Sequence, residues 1–138
     1  MTSARDIMTS GIEYLKTTDT ATDAAKRLAV ADIGAVPVCQ PDGRLVGMVT
    51  DRDIVTKVVA AGKDPAGVSL DQLADQGEIV TIGADDSVEE TLDVMKRYKV
   101  RRLPVIDGAE VVGIVSQADV ARQLPERQVG DYLAAISS

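Results

Sequence analysis

Two pairs of residues in this 138-residue chain have a type and a spacing that could do chemistry: Thr50 with Asp53, and Ser116 with Asp119. In each, a hydroxyl stands where a helix would begin and a carboxylate follows three positions later. A hydroxyl there, with the free amides of a first helical turn and the helix dipole, suits a phosphate oxygen. The carboxylate lies on the same helical face and can accept two hydrogen bonds from ribose hydroxyls. The same spacing is close to a capping box, which stabilises a helix with no ligand present. Thr20 with Asp23 shows the chain using that device elsewhere, so spacing leaves both readings open.

Cations near these pairs differ. Lys99, Arg101 and Arg102 precede Leu103-Pro104-Val105, whereas Asp32, Gly34 and Ala35 precede Val36-Pro37-Val38. An arginine fork offers paired donors to a phosphate, so the side bordered by Arg101 and Arg102 is expected to take the more highly charged ligand. A basic end complementing the dipole of a helix over 87 to 98 explains the same residues equally well. Arg52 is a further phosphate candidate.

No catalytic set is visible. Asp51, Asp53, Asp85, Asp86, Glu89 and Glu90 could be paired on paper, but the last four suit a helix N-terminus. With no His and no nucleophile beside a base, an enzyme is not expected. No His and one Cys also leave nothing for a usual zinc site, so no metal is expected. Cys39 cannot form an intrachain disulfide, and in its apolar run it reads as a small core side chain.

The elements that must position these pairs come from a duplication. Gly34 to Cys39, Asp42-Gly43 and Leu45 to Asp53 are repeated by Arg102 to Ile106, Asp107-Gly108 and Val111 to Asp119. Pro37 and Pro104 lie 67 positions apart, whereas Gly47 and Gly113, Thr50 and Ser116, and Asp53 and Asp119 lie 66 apart. The odd residue falls at the turn, where length changes are tolerated. Each copy reads as strand, tight turn, strand and helix.

Around that stretch the elements follow in order. The chain opens with a short lead over 2 to 8, then a strand candidate Ile12 to Leu15. A helix capped by Thr20 carries the stripe Ala21, Ala24, Ala25 and Leu28. Thr50 caps a helix through Ala61, with Ile54, Val55, Val58 and Val59 apolar and Gly62 a stop. Residues 63 to 67 form a linker, and Ser69 to Ala74 echoes the lead. The second copy repeats the order: a strand Ile79 to Ile82, then a helix capped by Ser87 with the stripe Val88, Thr91, Leu92 and Met95. Ser116 starts a helix to about Leu124, and a helical tail carries Val129, Tyr132, Leu133 and Ile136. The halves are therefore 1–67 and 68–138. Each alone offers little apolar surface, so the two are expected to pack sheet to sheet about a pseudo-twofold axis, with a cleft on each side.

Composition agrees with an α/β (α+β) fold: the chain is 45% hydrophobic but only 2% aromatic, with no Phe or Trp. Val and Ile favour strands while Ala and Leu favour helices. A net charge of −7 argues against nucleic acid or an anionic membrane surface as partner. No apolar run approaches the roughly 20 residues of a membrane helix, and the N-terminus lacks an apolar signal core. A cytoplasmic protein is expected.

The ordered duplication, with Val36-Pro37-Val38, Asp42-Gly43 and Leu45-Val46-Gly47-Met48-Val49-Thr50-Asp51-Arg52-Asp53 and its second copy, resembles the CBS domain. Two such repeats make a CBS pair, or Bateman module, and the whole is similar to small stand-alone CBS proteins of actinobacteria. The resemblance implies β-α-β-β-α repeats, pairs that dimerise, and clefts that bind adenosine-containing ligands such as AMP, ADP, ATP or S-adenosylmethionine. It implies that Thr50, Asp53, Ser116 and Asp119 meet phosphate and ribose. The backbone around Val36, Pro37, Leu103 and Pro104 would then face the base, which sits between aliphatic side chains. The expected function is a regulatory energy or stress sensor, a homodimer with an adenine nucleotide as ligand, no required cofactor and an unknown protein partner. The alternative is a non-catalytic interaction protein with vestigial clefts.

Overall fold

Each duplicated stretch folds into a hairpin that runs directly into a helix, because the last strand residue is also the helix cap. The computed structural model describes residues 2–11, 13–31, 33–74 and 79–137. Ile12 of the first strand candidate and Asp32 lie outside them. In chain order come α1 (Ala4–Ile7), β1 (Thr9–Ser10), β2 (Leu15–Lys16), α2 (Ala21–Ala31), β3 (Ala35–Cys39) and β4 (Leu45–Thr50). Next are α3 (Asp51–Ile54), which continues as a π-helical turn over Val55–Val59, and α4 (Leu70–Ala74). Then follow β5 (Ile82–Gly83), α5 (Val88–Arg97), β6 (Arg102–Asp107), β7 (Glu110–Ser116), α6 (Gln117–Gln123) and α7 (Glu126–Ile136).

The chain divides into two compact units, Glu13–Ile79, and Met1–Ile12 with Val80–Ser138. They are cut differently from the sequence-order halves 1–67 and 68–138, and hydrogen bonding is the reason. The lead residues Thr9 and Ser10 pair antiparallel with Ile114 and Gly113 of β7. Residues after 67 join the first hairpin instead: the Ala21 amide donates to the Val68 carbonyl at 2.9 Å and the Leu70 amide to Asp19 at 2.8 Å.

In the unit Glu13–Ile79 the sheet order is β2-β3-β4, and in the other it is β1-β7-β6-β5. Both hairpins are antiparallel and both carry a register shift, at Val38/Cys39 and at Val105/Ile106. Pro37 and Pro104 sit in central strands, where a missing amide would ordinarily break a ladder. Here β2 pairs only with Val38 and Cys39, and β5 only with Val105 and Ile106, so neither neighbour reaches the proline. The expected strands 12–15 and 79–82 shrink to two residues each. Leu15 and Ile82 are buried while Tyr14 and Ile79 are exposed, and Val80 packs partly buried against the same core as Ile82.

Each unit encloses its own aliphatic core. One is built around Leu28, Val36, Val38, Val49, Ile54, Val58, Leu70 and Leu73, the other around Leu92, Met95, Leu103, Val105, Val115, Val120 and Tyr132. The stripe Val88, Thr91, Leu92 and Met95 is buried as the spacing predicts. On α2 only Ala21, Ala24 and Leu28 are buried, and Ala25 turns outward. Val55 and Val59 are also exposed, leaving Ile54 and Val58 as the inward positions of that helix. Tyr132 ties α7 down, donating its hydroxyl to the Val100 carbonyl at 2.8 Å.

Gly47 permits the close approach of α4 to β4. A Cβ at Gly47 would stand 2.4 Å from the Ala74 carbonyl oxygen, a backbone contact that cannot rotate away. Gly47→Ala is expected to destabilise by about 1–3 kcal/mol in urea denaturation. Gly67→Ala, with nothing within 4 Å, is expected to change stability by less than about 0.5 kcal/mol. Burial, with Asp42 adding, pushes the Cys39 thiol from 9.0 up to about 11. The fold thus favours the neutral thiol, and this contribution is complete below pH 9.0 and lost as pH rises towards 11. Cys39 is expected to resist a thiol reagent at pH 8 until urea unfolds the protein. A stability profile against pH, with Cys39→Ala as reference, checks the loss.

Candidate functional site

Both helix starts close as full capping boxes. At the first, the Thr50 amide donates to Asp53 Oδ2 at 2.9 Å and the Asp53 amide donates to Thr50 Oγ1 at 3.0 Å. At the second, the Ser116 amide donates to Asp119 Oδ2 at 2.9 Å and the Asp119 amide to Ser116 Oγ at 3.2 Å. The next amides are used as well: Asp51 donates to the Gly34 carbonyl at 3.1 Å and Gln117 to the Arg101 carbonyl at 2.9 Å. These bonds stitch each helix start to the beginning of the preceding Pro-Val strand. The Arg52 amide is taken by Asp51 Oδ1 at 2.8 Å. Fewer first-turn amides are therefore open to a phosphate than the spacing suggests.

The two carboxylates differ in what else they touch. The Asp53 side chain keeps 20% exposure, and beyond its own cap it meets Lys57 Nζ at 3.2 Å. Asp119 is only 1% exposed. Thr9 donates its hydroxyl between Asp119 Oδ1 at 2.9 Å and Oδ2 at 3.1 Å, and Arg122 Nη2 reaches Oδ1 at 2.5 Å. Lys57 and Arg122 stand four and three residues after their carboxylates, a helical spacing legible in the sequence. Thr9 lies 110 residues away, and no local pattern announces it.

Arg101 and Arg102 do come to the second start. Arg102 pairs with Ser116 across the hairpin, as Ala35 pairs with Thr50 in the first copy. No carboxylate among the described residues pairs with either arginine. Their charge is felt at Tyr132, whose hydroxyl is pushed up by burial while Arg101 and Arg102 pull it down. Arg52 is exposed at the first start. Val36 and Leu103 turn their side chains into the cores at 0% exposure, and Pro37 and Pro104 are buried too. What those strands can offer a base is backbone. Among the described residues no group of three or more His, Cys, Asp or Glu could hold a metal ion.

Known proteins resemble this chain in sequence and fold. The family model for the CBS domain matches residues 4–60 and 75–126. Hypoxic response protein 1 of Mycobacterium tuberculosis is 46% identical over 138 residues, covering 100% of this chain and 96% of that protein. The uncharacterized protein YlbB of Bacillus subtilis is 36% identical over 99% of this chain and 93% of its own length. Among solved structures, hypoxic response protein I with two coordinated zinc ions is similar at TM-score 0.79 and 48% identity, covering 90% of this chain and 100% of that one. CBSX2 in complex with AMP shares the fold at TM-score 0.70 and 23% identity, over 88% of this chain and 95% of that one. With both copies matched by one family model and a relative nearly half identical from end to end, the chain belongs to the CBS domain family as a pair of repeats.

Proposed function

We propose that the chain is a non-catalytic regulatory module that binds an adenosine-containing small molecule, AMP, ADP, ATP or a similar compound, as a sensor of energy or stress. The observation that carries this reading is Asp53: a carboxylate fixed by its cap, partly exposed, whose second oxygen is met by a flexible lysine. Such a group can exchange the lysine contact for two ribose hydroxyls without unfolding the helix. Arg52 stands beside it for phosphate. At the second start, Arg101 and Arg102 supply the cations for a more highly charged ligand, with Ser116 at the cap. The AMP bound by CBSX2 and the name of the hypoxic response protein support the ligand class and the stress setting. We place the module in the cytoplasm as a homodimer that signals to a separate protein partner. No described helix is long and apolar enough to cross a membrane.

A second reading is an interaction protein with vestigial ligand sites, favoured by the way both caps and their next amides are already satisfied within the chain. Thermal shift and calorimetry with AMP, ADP, ATP, S-adenosylmethionine, NAD and cyclic dinucleotides separate the two. At least one adenine nucleotide is expected to bind, and Asp53→Ala to weaken it about tenfold to a hundredfold, the worth of one charged hydrogen bond. No shift at millimolar ligand leaves only the interaction protein. Arg101→Ala is expected to weaken ATP more than adenosine. Equal losses would remove the arginine from the phosphate role.

A further inference from the structure

Five of the 15 Lys and Arg residues stand within positions 96–102, Lys96-Arg97-Tyr98-Lys99-Val100-Arg101-Arg102. Without these five the net charge of −7 becomes −12, so the stretch is a basic island on a strongly acidic chain. A helix C-terminus attracts cations, which accounts for Lys96 and Arg97 in the last turn of α5. Lys99, Arg101 and Arg102 lie beyond that helix. The first copy shows that the fold needs none of them. There, 67 positions earlier, the chain reads Ala29-Val30-Ala31-Asp32-Ile33-Gly34-Ala35, and α2 has no basic residue in its last turn.

The island is displayed on a fixed turn. The Lys99 amide donates to the Lys96 carbonyl at 3.3 Å and the Val100 amide to the Met95 carbonyl at 3.1 Å, while the Tyr132 hydroxyl holds the Val100 carbonyl from α7 at 2.8 Å. Arg97, Tyr98, Lys99 and Arg101 are exposed on it. Tyr98 shows 46% of its surface, and the Arg97 guanidinium stands 6.0 Å from the centre of its ring. Arginine and tyrosine are the residue types that anchor protein interfaces, because each joins a large flat contact to a polar end. Arg97 is paired with Asp93 on the same helix. An exposed pair of this kind contributes little and exchanges for another carboxylate.

On the reading that the chain signals to a separate protein, we infer that residues 96–99, continuous with Arg101 and Arg102, are a docking surface for a short acidic segment of that partner. Charge complementarity selects an anionic occupant. Extent selects protein over nucleic acid, because the island spans only positions 96–102, Asp93 stands at its edge, and a polynucleotide running past it meets the carboxylates of an acidic chain. A short peptide ends within the island. Its carboxylates meet the cations, and an apolar side chain lies on the Tyr98 ring.

Fluorescence anisotropy on the full chain tests this at low ionic strength, where exposed charges are least screened. The probe is a fluorescent peptide alternating glutamate and leucine, compared with its glutamine counterpart and with a single-stranded oligothymidylate. The glutamate peptide is expected to bind, and the glutamine peptide to bind about tenfold more weakly. Arg97→Ala and Tyr98→Ala are each expected to weaken the glutamate peptide about fivefold. Lys63→Ala, which removes an exposed cation from the other unit, is expected to leave it unchanged. No binding by the parent chain overturns the docking surface, as does equal binding of the glutamine peptide or tighter binding of the oligothymidylate. Unchanged binding in either Arg97→Ala or Tyr98→Ala overturns it too. Calorimetry with AMP and ATP on the same samples keeps the two proposals apart. Nucleotide binding by a chain that ignores the peptide leaves the sensor standing, whereas peptide binding by a chain that takes no nucleotide removes the sensor and leaves the docking surface.

Discussion

A backbone amide meeting a carboxylate three residues ahead is what lets each hairpin become a helix. Helix starts leave orphan amides that must find acceptors, and here the acceptors come from the motif itself. Thr50 and Ser116 each give their amide to the aspartate and receive the aspartate's amide on their hydroxyl. The following amide reaches back to Gly34 or Arg101, which fixes the helix start against the first strand of the hairpin. Because strand, cap and helix are joined by these few bonds, the carboxylates are positioned before any ligand is considered. At this place the group that holds the helix is also the one proposed to meet a sugar.

That economy explains why the copies can diverge without a change of fold. The cap uses chiefly one carboxylate oxygen and leaves the other to its surroundings. At Asp53 the surroundings are a lysine on the same helix. At Asp119 they include a threonine brought in by β1, which lies against β7. The difference arises from which segment fills the edge of each hairpin. The close contacts at Gly47 and Gly113 show how tightly that edge is filled in both units.

The duplicated order, both hairpins, the turns at Gly43 and Gly108, the helix caps and the buried stripe on α5 were legible in the sequence. They depend on neighbours a few residues apart, through positive φ at glycine, amide capping and helical periodicity. The two short strands were read too long because β2 and β5 are defined by what they pair with. The outward turn of Ala25 and Val55 was likewise invisible, since an apolar residue at the margin of a stripe is assigned by what packs on it.

What the sequence by itself determined, then, is the repeated unit and the residues that stand at each helix start, including the paired Thr50/Asp53 and Ser116/Asp119 and the arginines beside the second. Only the tertiary structure decided that the lead segment joins the unit of the second hairpin, and that Asp119 is sealed while Asp53 keeps an exposed edge. The physical reason is range. Caps, turns and stripes are written within one helical turn or hairpin, whereas the burial of a carboxylate depends on a hydroxyl 110 residues away that reaches it only after the sheet has formed.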